Sequence, residues 1–182
     1  IPALAGEPFL RYPPFYYLSA AVAGKMFGAF LPLHDAVRLV NLIYSALTFG
    51  LLAATARELN GSSRGWIAPA LMLGCIGLVF PAHLLTPDNA LLTAFAAALF
   101  GLSLIARRPV RGGLILGTGI GLAFLSKGIA GSVAIAFSFA VLAAVAPRYR
   151  SRDAAISAVA ALGAALPWLL LWPGTLFASA PA

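Results

Sequence analysis

Long apolar runs alternate with short polar breaks along this chain. About six runs are long enough to predict membrane-spanning helices, because roughly 20 apolar residues cross a hydrocarbon core about 30 Å thick. The predicted spans cover about residues 39–57, 65–82, 89–106, 111–126, 129–146 and 154–172. An even number of spans returns the chain to its starting side, so both ends are expected on the same face of the membrane.

The segment before the first predicted span is apolar but carries a charge. Residues 13–31 open with a Pro-Pro pair and have Lys25 in their middle, where a lysine would be costly in a crossing helix. We therefore predict a helix from Pro14 that lies in the outer interface, with Tyr16, Tyr17 and Lys25 toward the headgroups. The alternative is a true span with a snorkelling Lys25, which would invert every later loop.

Composition supports a membrane protein. The chain is 62% hydrophobic and 9% charged, whereas soluble domains are about 25% charged. The predicted fold is an all-α polytopic transmembrane helical bundle of about six spans with an outer interfacial helix. It forms one unit: an external loop with that helix over 1–38, the spans within 39–172, and an external tail over 173–182. Because the chain starts without a methionine or signal-like segment, we expect a fragment of a longer protein.

The distribution of positive charge is typical of a membrane protein rather than of a nucleic-acid-binding protein. The net charge is +7, and eight of the twelve lysines and arginines lie in three short loops. These are Arg57 and Arg64, then Arg107, Arg108 and Arg111, then Arg148, Arg150 and Arg152. The loops alternate along the chain, as cytoplasmic connections do. We therefore expect no nucleic-acid partner, and we assign the opposite face to the exterior or periplasm.

Ionisable groups outside these loops gather at the external rim. None lies in mid-span, whereas a transporter would place binding groups near the bilayer midplane. A site at the rim favours a substrate that is itself half in the membrane, such as a lipid-linked headgroup. A transporter or flippase for a lipid or small polar solute is the alternative function, and a non-catalytic assembly subunit is a further one. Phosphate-loop, zinc-spacing and nucleophile-elbow patterns are absent from the sequence.

Asp88 is the main candidate for chemistry. It lies between two apolar runs that contain no charged residue. One interpretation is structural: Thr86, Pro87 and Asp88 fit the N-cap, N1 and N2 positions of the next helix, where an acid complements the helix dipole. The other is that a carboxylate fixed at a helix start acts as a base, binds a metal or holds a sugar hydroxyl.

Lys127 is the complementary candidate. A lysine in the last helical turn followed by Gly128 is ordinary helix termination, but a cation on the outer face can also bind a lipid phosphate. Arg11 and Arg38 add positive charge to the same face, although Arg38 also fits a snorkelling role. His83 at a helix end is more often interfacial than a ligand.

Three ordered segments resemble the polytopic C-type glycosyltransferases, within the group of dolichyl-phosphate-mannose protein mannosyltransferases and lipid A aminoarabinose transferases. The first is Tyr12-Pro13-Pro14-Phe15-Tyr16-Tyr17 with Lys25-Met26-Phe27-Gly28. The second is Thr86-Pro87-Asp88-Asn89-Ala90-Leu91-Leu92, and the third is Gly121-Leu122-Ala123-Phe124-Leu125-Ser126-Lys127-Gly128. Arg38-Leu39 also fits, and the resemblance covers roughly residues 11–147.

The resemblance implies an enzyme of the external face, and the Ala- and Gly-rich composition favours a bacterial inner membrane. It would move a sugar from a polyprenyl-phosphate donor to a lipid, glycan or protein hydroxyl, usually with inversion. Asp88 would assist in the active site, while Lys127, Arg11 and Arg38 would bind the carrier phosphate. His83, Tyr12 and Glu7 are further polar contacts.

One departure from the family pattern concerns its principal acidic motif, which has no counterpart in this sequence. Glu7 is the only acid before the Pro-Pro pair and lies too close to it to substitute. We therefore expect the main acid before Ile1, and no activity from this sequence alone. The cofactor is left open, with a divalent cation as one option.

Overall fold

The computed structural model describes residues 13–75, 77 and 84–179, together with two short strands, and it describes side chains up to residue 176. Strands β1 (Ala3–Leu4) and β2 (Glu7–Pro8) pair antiparallel. The helices in this part of the chain are α1 (Phe15–Phe27), α2 (Leu33–Asn60), α3 (Ile67–Leu73), α4 (Asp88–Leu104), α5 (Pro109–Lys127), α6 (Ile129–Val145) and α7 (Arg152–Ser179). Short 3₁₀ turns occupy Ser62–Arg64 and Pro147–Arg150. The predicted all-α class is confirmed.

Five of the six predicted spans fall on helices α2, α4, α5, α6 and α7. By length and composition, three of the described helices can cross a membrane, namely α2, α5 and α7. Helices α4 and α6 are apolar but have only 17 residues each, which is near the lower limit of about 17 for a crossing helix.

The predicted span over 65–82 departs from the expectation of one unbroken helix. Helix α3 ends at Leu73, and the N–H of Gly74 bonds to the Ala70 carbonyl as the turn closes. Glycine has a low helix propensity, which favours an end at this point. Most of the rest of that predicted span lies outside the described residues.

Helix α5 forms the centre of the bundle and packs on both α4 and α7. Gly113, Gly117 and Gly121 line its contact with α7, and a Cβ added at Gly117 would collide with the backbone of Ala161. On the α4 side, a Cβ added at Gly119 would lie 2.9 Å from the Ala94 carbonyl oxygen. The glycine stripe of Gly113, Gly117 and Gly121 therefore brings the backbones of α5 and α7 together, and Gly119 does the same toward α4.

Gly117→Ala is expected to destabilise the bundle by about 1–3 kcal/mol, because the added methyl group forces α5 away from α7. The measurement is a thermal or denaturant unfolding curve of the purified protein in detergent. Gly163→Ala is the matched control, since a Cβ at Gly163 in α7 meets no atom within 4 Å. Equal unfolding midpoints for the two variants would contradict this account of the glycine stripe.

The helix ends lie at two opposite faces of the bundle. At one face, Arg107 forms an ion pair of 3.2 Å with Glu58, and the Tyr149 hydroxyl donates to the Leu102 carbonyl at 3.4 Å. These contacts join the three arginine-rich loops, and we call this face the arginine end. The opposite face holds the starts of α2, α4 and α6, and we call it the site end. The loops alternate between faces as the sequence predicted.

Candidate functional site

Asp88 and Lys127 meet at the site end of the bundle. Asp88 is the first residue of α4 and Lys127 the last residue of α5, and their side chains form an ion pair with a Nζ–Oδ1 distance of 2.5 Å. Asp88 is 48% exposed and Lys127 30% exposed, so a ligand from outside can reach both groups. The sequence predicted both residues on one rim, and the structure brings them into direct contact.

The start of α4 positions Asp88 in a way that differs from the predicted cap. Pro87 is the N-cap residue, so Asp88 is at N1 rather than N2, and the N-cap makes no side-chain bond. The Thr86 hydroxyl is buried and has no hydrogen-bond partner among the described residues, so it does not cap the helix. The predicted Thr86 cap is therefore wrong, although Asp88 still lies in the first turn, where the helix dipole favours its charge.

Lys127 ends its helix as the sequence predicted. The following Gly128 adopts a φ of 73°, a conformation that side chains disfavour, and its N–H bonds to the Phe124 carbonyl at 2.7 Å. Helix α6 then begins at Ile129, so the turn that carries Lys127 is very short. The cation sits at the negative end of the α5 dipole.

A buried polar network holds the segment that leads into Asp88. The Tyr16 hydroxyl of α1 donates to Asn41 Oδ1 at 2.6 Å, and Asn41 Nδ2 donates to the Leu84 carbonyl at 3.0 Å. Asn89 Nδ2 donates to the same carbonyl at 3.2 Å. Burial raises the pKa of Tyr16 to about 12, so its hydroxyl stays protonated and donates at neutral pH.

This network shows that the predicted position of Tyr16 was wrong, and it includes Asn41, which was not among the predicted site residues. Tyr16 is fully buried and stacks on Tyr44 of α2, with ring centroids 6.0 Å apart, so it does not face headgroups. Lys25 is exposed on α1, as predicted. Asn41 was missed because it lies inside an apolar run. A lone amide in such a run is costly without hydrogen-bond partners, and this cost is the signal that could have identified Asn41.

An apolar groove lies at the site end of the bundle. Its volume is about 490 Å³, and it runs between α1, the end of α5 and the end of α7. Its lining residues are Pro14, Phe15, Tyr17, Leu18, Ala21, Leu125, Leu171, Trp172 and Thr175. Leu125 is two positions before Lys127, so the groove and the cation share one helix end.

Of the other predicted site residues, the structure describes the side chain of Arg38. Arg38 lies in the early turns of α2 with an exposed side chain and forms no ion pair within the described part of the chain. Arg11, Tyr12 and His83 lie outside the described residues, as does the side chain of Glu7. Their predicted contacts therefore stay predictions.

The site combines a carboxylate, a cation and an apolar groove. A lysine ammonium has three hydrogen-bond donors. The phosphate of a ligand can therefore bind Lys127 in competition with Asp88. A carboxylate released from such a pair can accept a proton from a hydroxyl. Among the described residues, no three His, Cys, Asp or Glu side chains come together as a metal site would require.

Comparison with known proteins identifies a family. The model of the family described as dolichyl-phosphate-mannose-protein mannosyltransferase matches residues 11–172. These residues include the Pro-Pro helix, Asp88, Lys127 and every residue that lines the groove except Thr175. No curated protein and no solved structure matches the chain significantly.

Proposed function

Since the chain belongs to the dolichyl-phosphate-mannose-protein mannosyltransferase family, a family of membrane glycosyltransferases, we propose that it transfers a sugar from a polyprenyl-phosphate donor at the site end of the bundle. The acceptor is a hydroxyl group of a lipid, a glycan or a protein. The site end faces the exterior, which in a bacterium is the periplasmic side of the inner membrane.

The direct contact between Asp88 and Lys127 is the observation that supports this proposal most strongly. Transfer from a phosphate carrier develops negative charge on the leaving phosphate, while the sugar becomes oxocarbenium-like. A fixed cation stabilises the first charge and a carboxylate stabilises the second. The 2.5 Å pair holds both groups where one small reacting centre can touch each of them.

The roles of the two residues follow from their charges. Lys127 binds the carrier phosphate and stabilises it as the leaving group. Asp88, released from Lys127 by that phosphate, orients the acceptor hydroxyl or accepts its proton. Because Asp88 is half exposed, an acceptor from the aqueous side can reach it. Arg38 and Arg11 add positive charge around the phosphate.

The groove suits the apolar part of the donor. Its lining by Phe15, Leu18, Leu125 and Leu171 offers an isoprenoid chain an apolar surface at the helix end that carries Lys127. An amphiphilic donor would thus place its phosphate on the cation and its chain between α1 and α7. Apolar burial of the chain would add affinity.

The test is a transfer assay on the natural protein that contains this sequence. Reconstituted protein is given a polyprenyl phosphate that carries a radiolabelled sugar, with lipid, glycan and protein acceptors in separate reactions. The expected result is labelled acceptor and free polyprenyl phosphate. If the label stays on the carrier with every acceptor while the intact donor crosses the bilayer of proteoliposomes, the protein is a transporter and the proposal is wrong.

The external assignment of the site end has its own prediction. Cysteines introduced as Arg108→Cys and Arg150→Cys at the arginine end should resist a membrane-impermeant thiol reagent added outside intact cells. His34→Cys, at an exposed position near the start of α2, should react with it. We expect at least a tenfold difference in labelling rate, since about 30 Å of hydrocarbon separates the faces. The opposite labelling pattern would invert the proposed orientation.

A further inference from the structure

The Leu84 carbonyl is the centre of the segment that leads into Asp88. Three donors converge on it: the Thr86 N–H at 3.0 Å, the Asn41 amide at 3.0 Å and the Asn89 amide at 3.2 Å. Thr86 and Asn89 belong to the segment itself. Of the three donors, only Asn41 comes from another helix, so its bond attaches the segment to the body of the bundle.

Asn41 is held in place from the opposite side. Its Oδ1 accepts the Tyr16 hydroxyl of α1 at 2.6 Å, and its side chain is almost wholly buried at 5% exposure. The amide therefore uses an acceptor toward α1 and a donor toward Leu84 at the same time. Few side chains supply both in so small a volume.

We propose that Asn41 is a positioning residue that fixes the position and orientation of Asp88 relative to Lys127. The bond from Asn41 fixes the Leu84 carbonyl, and the tight turn from Leu84 to Asn89 transmits this position to the start of α4. As a contribution to sugar transfer, the inference rests on the proposed function. The positioning of Asp88 itself can be tested without any measurement of transferase activity.

Loss of the Asn41 amide has a specific physical consequence. Asn41→Leu fills a similar volume but leaves the buried Tyr16 hydroxyl without its acceptor and removes the only donor to Leu84 from α2. The segment before α4 keeps its internal bonds but loses its described side-chain hydrogen bond to α2. Asp88 is then expected to sample positions away from Lys127.

Cross-linking tests the geometry directly. Asp88→Cys and Lys127→Cys are combined in a background where Cys75, the one cysteine in this sequence, is replaced by alanine. A short bifunctional thiol reagent should link the two positions rapidly, because the native side chains touch. Adding Asn41→Leu should slow this cross-linking about five- to tenfold, which corresponds to the loss of one or two buried hydrogen bonds.

Two controls separate local positioning from general damage. Glu58→Cys with Arg107→Cys gives a second cross-linkable pair at the arginine end, whose rate Asn41→Leu should leave unchanged. Thr48→Val removes a buried hydroxyl of α2 that contacts Thr93 of α4, about 10 Å further along the helix. It should not slow linking of positions 88 and 127.

The outcomes decide the inference. The proposal fails if Asn41→Leu leaves the cross-linking rate of positions 88 and 127 unchanged. It also fails if Asn41→Leu lowers the cross-linking rate equally for both cysteine pairs. If Asn41→Leu does not accumulate as folded protein, Tyr16→Phe replaces it; this change removes only the hydroxyl that orients Asn41 and should slow cross-linking about two- to fivefold. An unchanged rate with Tyr16→Phe would then overturn the inference.

An activity measurement links the geometry to the reaction. Asn41→Leu should lower kcat for sugar transfer about tenfold with little change in KM for the donor, and in an Asp88→Asn background it should have almost no further effect. Additive losses would show that Asn41 does not act through Asp88. A natural protein without transferase activity would refute the proposed function, while the cross-linking result would still decide the positioning of Asp88.

Discussion

Lys127→Ala is expected to lower kcat/KM for sugar transfer by about 10²–10³-fold, the usual cost of removing one fixed group that stabilises developing negative charge. The lysine is the cation that lies against Asp88, and no other described cation forms an ion pair with that carboxylate. The KM for the polyprenyl donor should rise as well, because the ground-state phosphate also binds the ammonium. The measurement is a steady-state transfer assay with purified natural protein.

Charge and geometry can be separated at this position. Lys127→Arg keeps the positive charge and should recover part of the lost rate, although a planar guanidinium binds phosphate differently from an ammonium. Arg107→Gln is the matched control, because it removes an ion pair between helix ends at the arginine end without touching the site. Near-normal kcat/KM in Lys127→Ala, or an equal loss in Arg107→Gln, would refute the role of Lys127.

Asp88→Asn is expected to lower kcat by about 10²–10⁴-fold, the range typical of losing a positioned acid or base. Asparagine has nearly the same shape but carries no negative charge and cannot accept the proton of an acceptor hydroxyl. Because the proposed mechanism has Asp88 act on the acceptor rather than on the carrier chain, KM for the donor should change little. The donor-concentration dependence of the rate distinguishes this pattern from that of Lys127→Ala.

The loss in Asp88→Asn should occur without unfolding. Partly exposed ion pairs contribute only about 0–1 kcal/mol to stability, and α4 keeps its contacts with α5. Thermal unfolding curves of Asp88→Asn and the unmodified protein should therefore nearly coincide. A protein that loses activity only in proportion to its folded fraction would assign Asp88 a structural role and remove it from the proposed site.

The sequence was sufficient to predict the helical bundle and the shared face of Asp88 and Lys127. Apolar run length located α2, α4, α5, α6 and α7, because each run must satisfy its backbone hydrogen bonds within a helix. Loop charges predicted which helix ends lie together. The break after Leu73 was missed because a single glycine in an apolar run does not distinguish a tolerated residue from a helix end.

The details of the site depend on packing that run lengths do not encode. The contact between Asp88 and Lys127 requires α4 and α5 to approach closely. Gly101, Gly112 and Gly119 permit that approach but do not fix which residues of the two helices meet. Tyr16 was expected at the headgroups because tyrosine is common there. Its burial follows from a partner, Asn41, that is distant in sequence.

The shortness of α4 and α6 has a consequence for the bilayer itself. Each has 17 residues and starts at the site end, so each spans only about 25 Å, against a hydrocarbon thickness of about 30 Å. This hydrophobic mismatch favours local thinning of the lipid around these two helices. We expect the membrane surface to be lowered by about 5 Å above Asp88 and Lys127. Water and a lipid-borne phosphate can then meet there, below the surrounding headgroup plane.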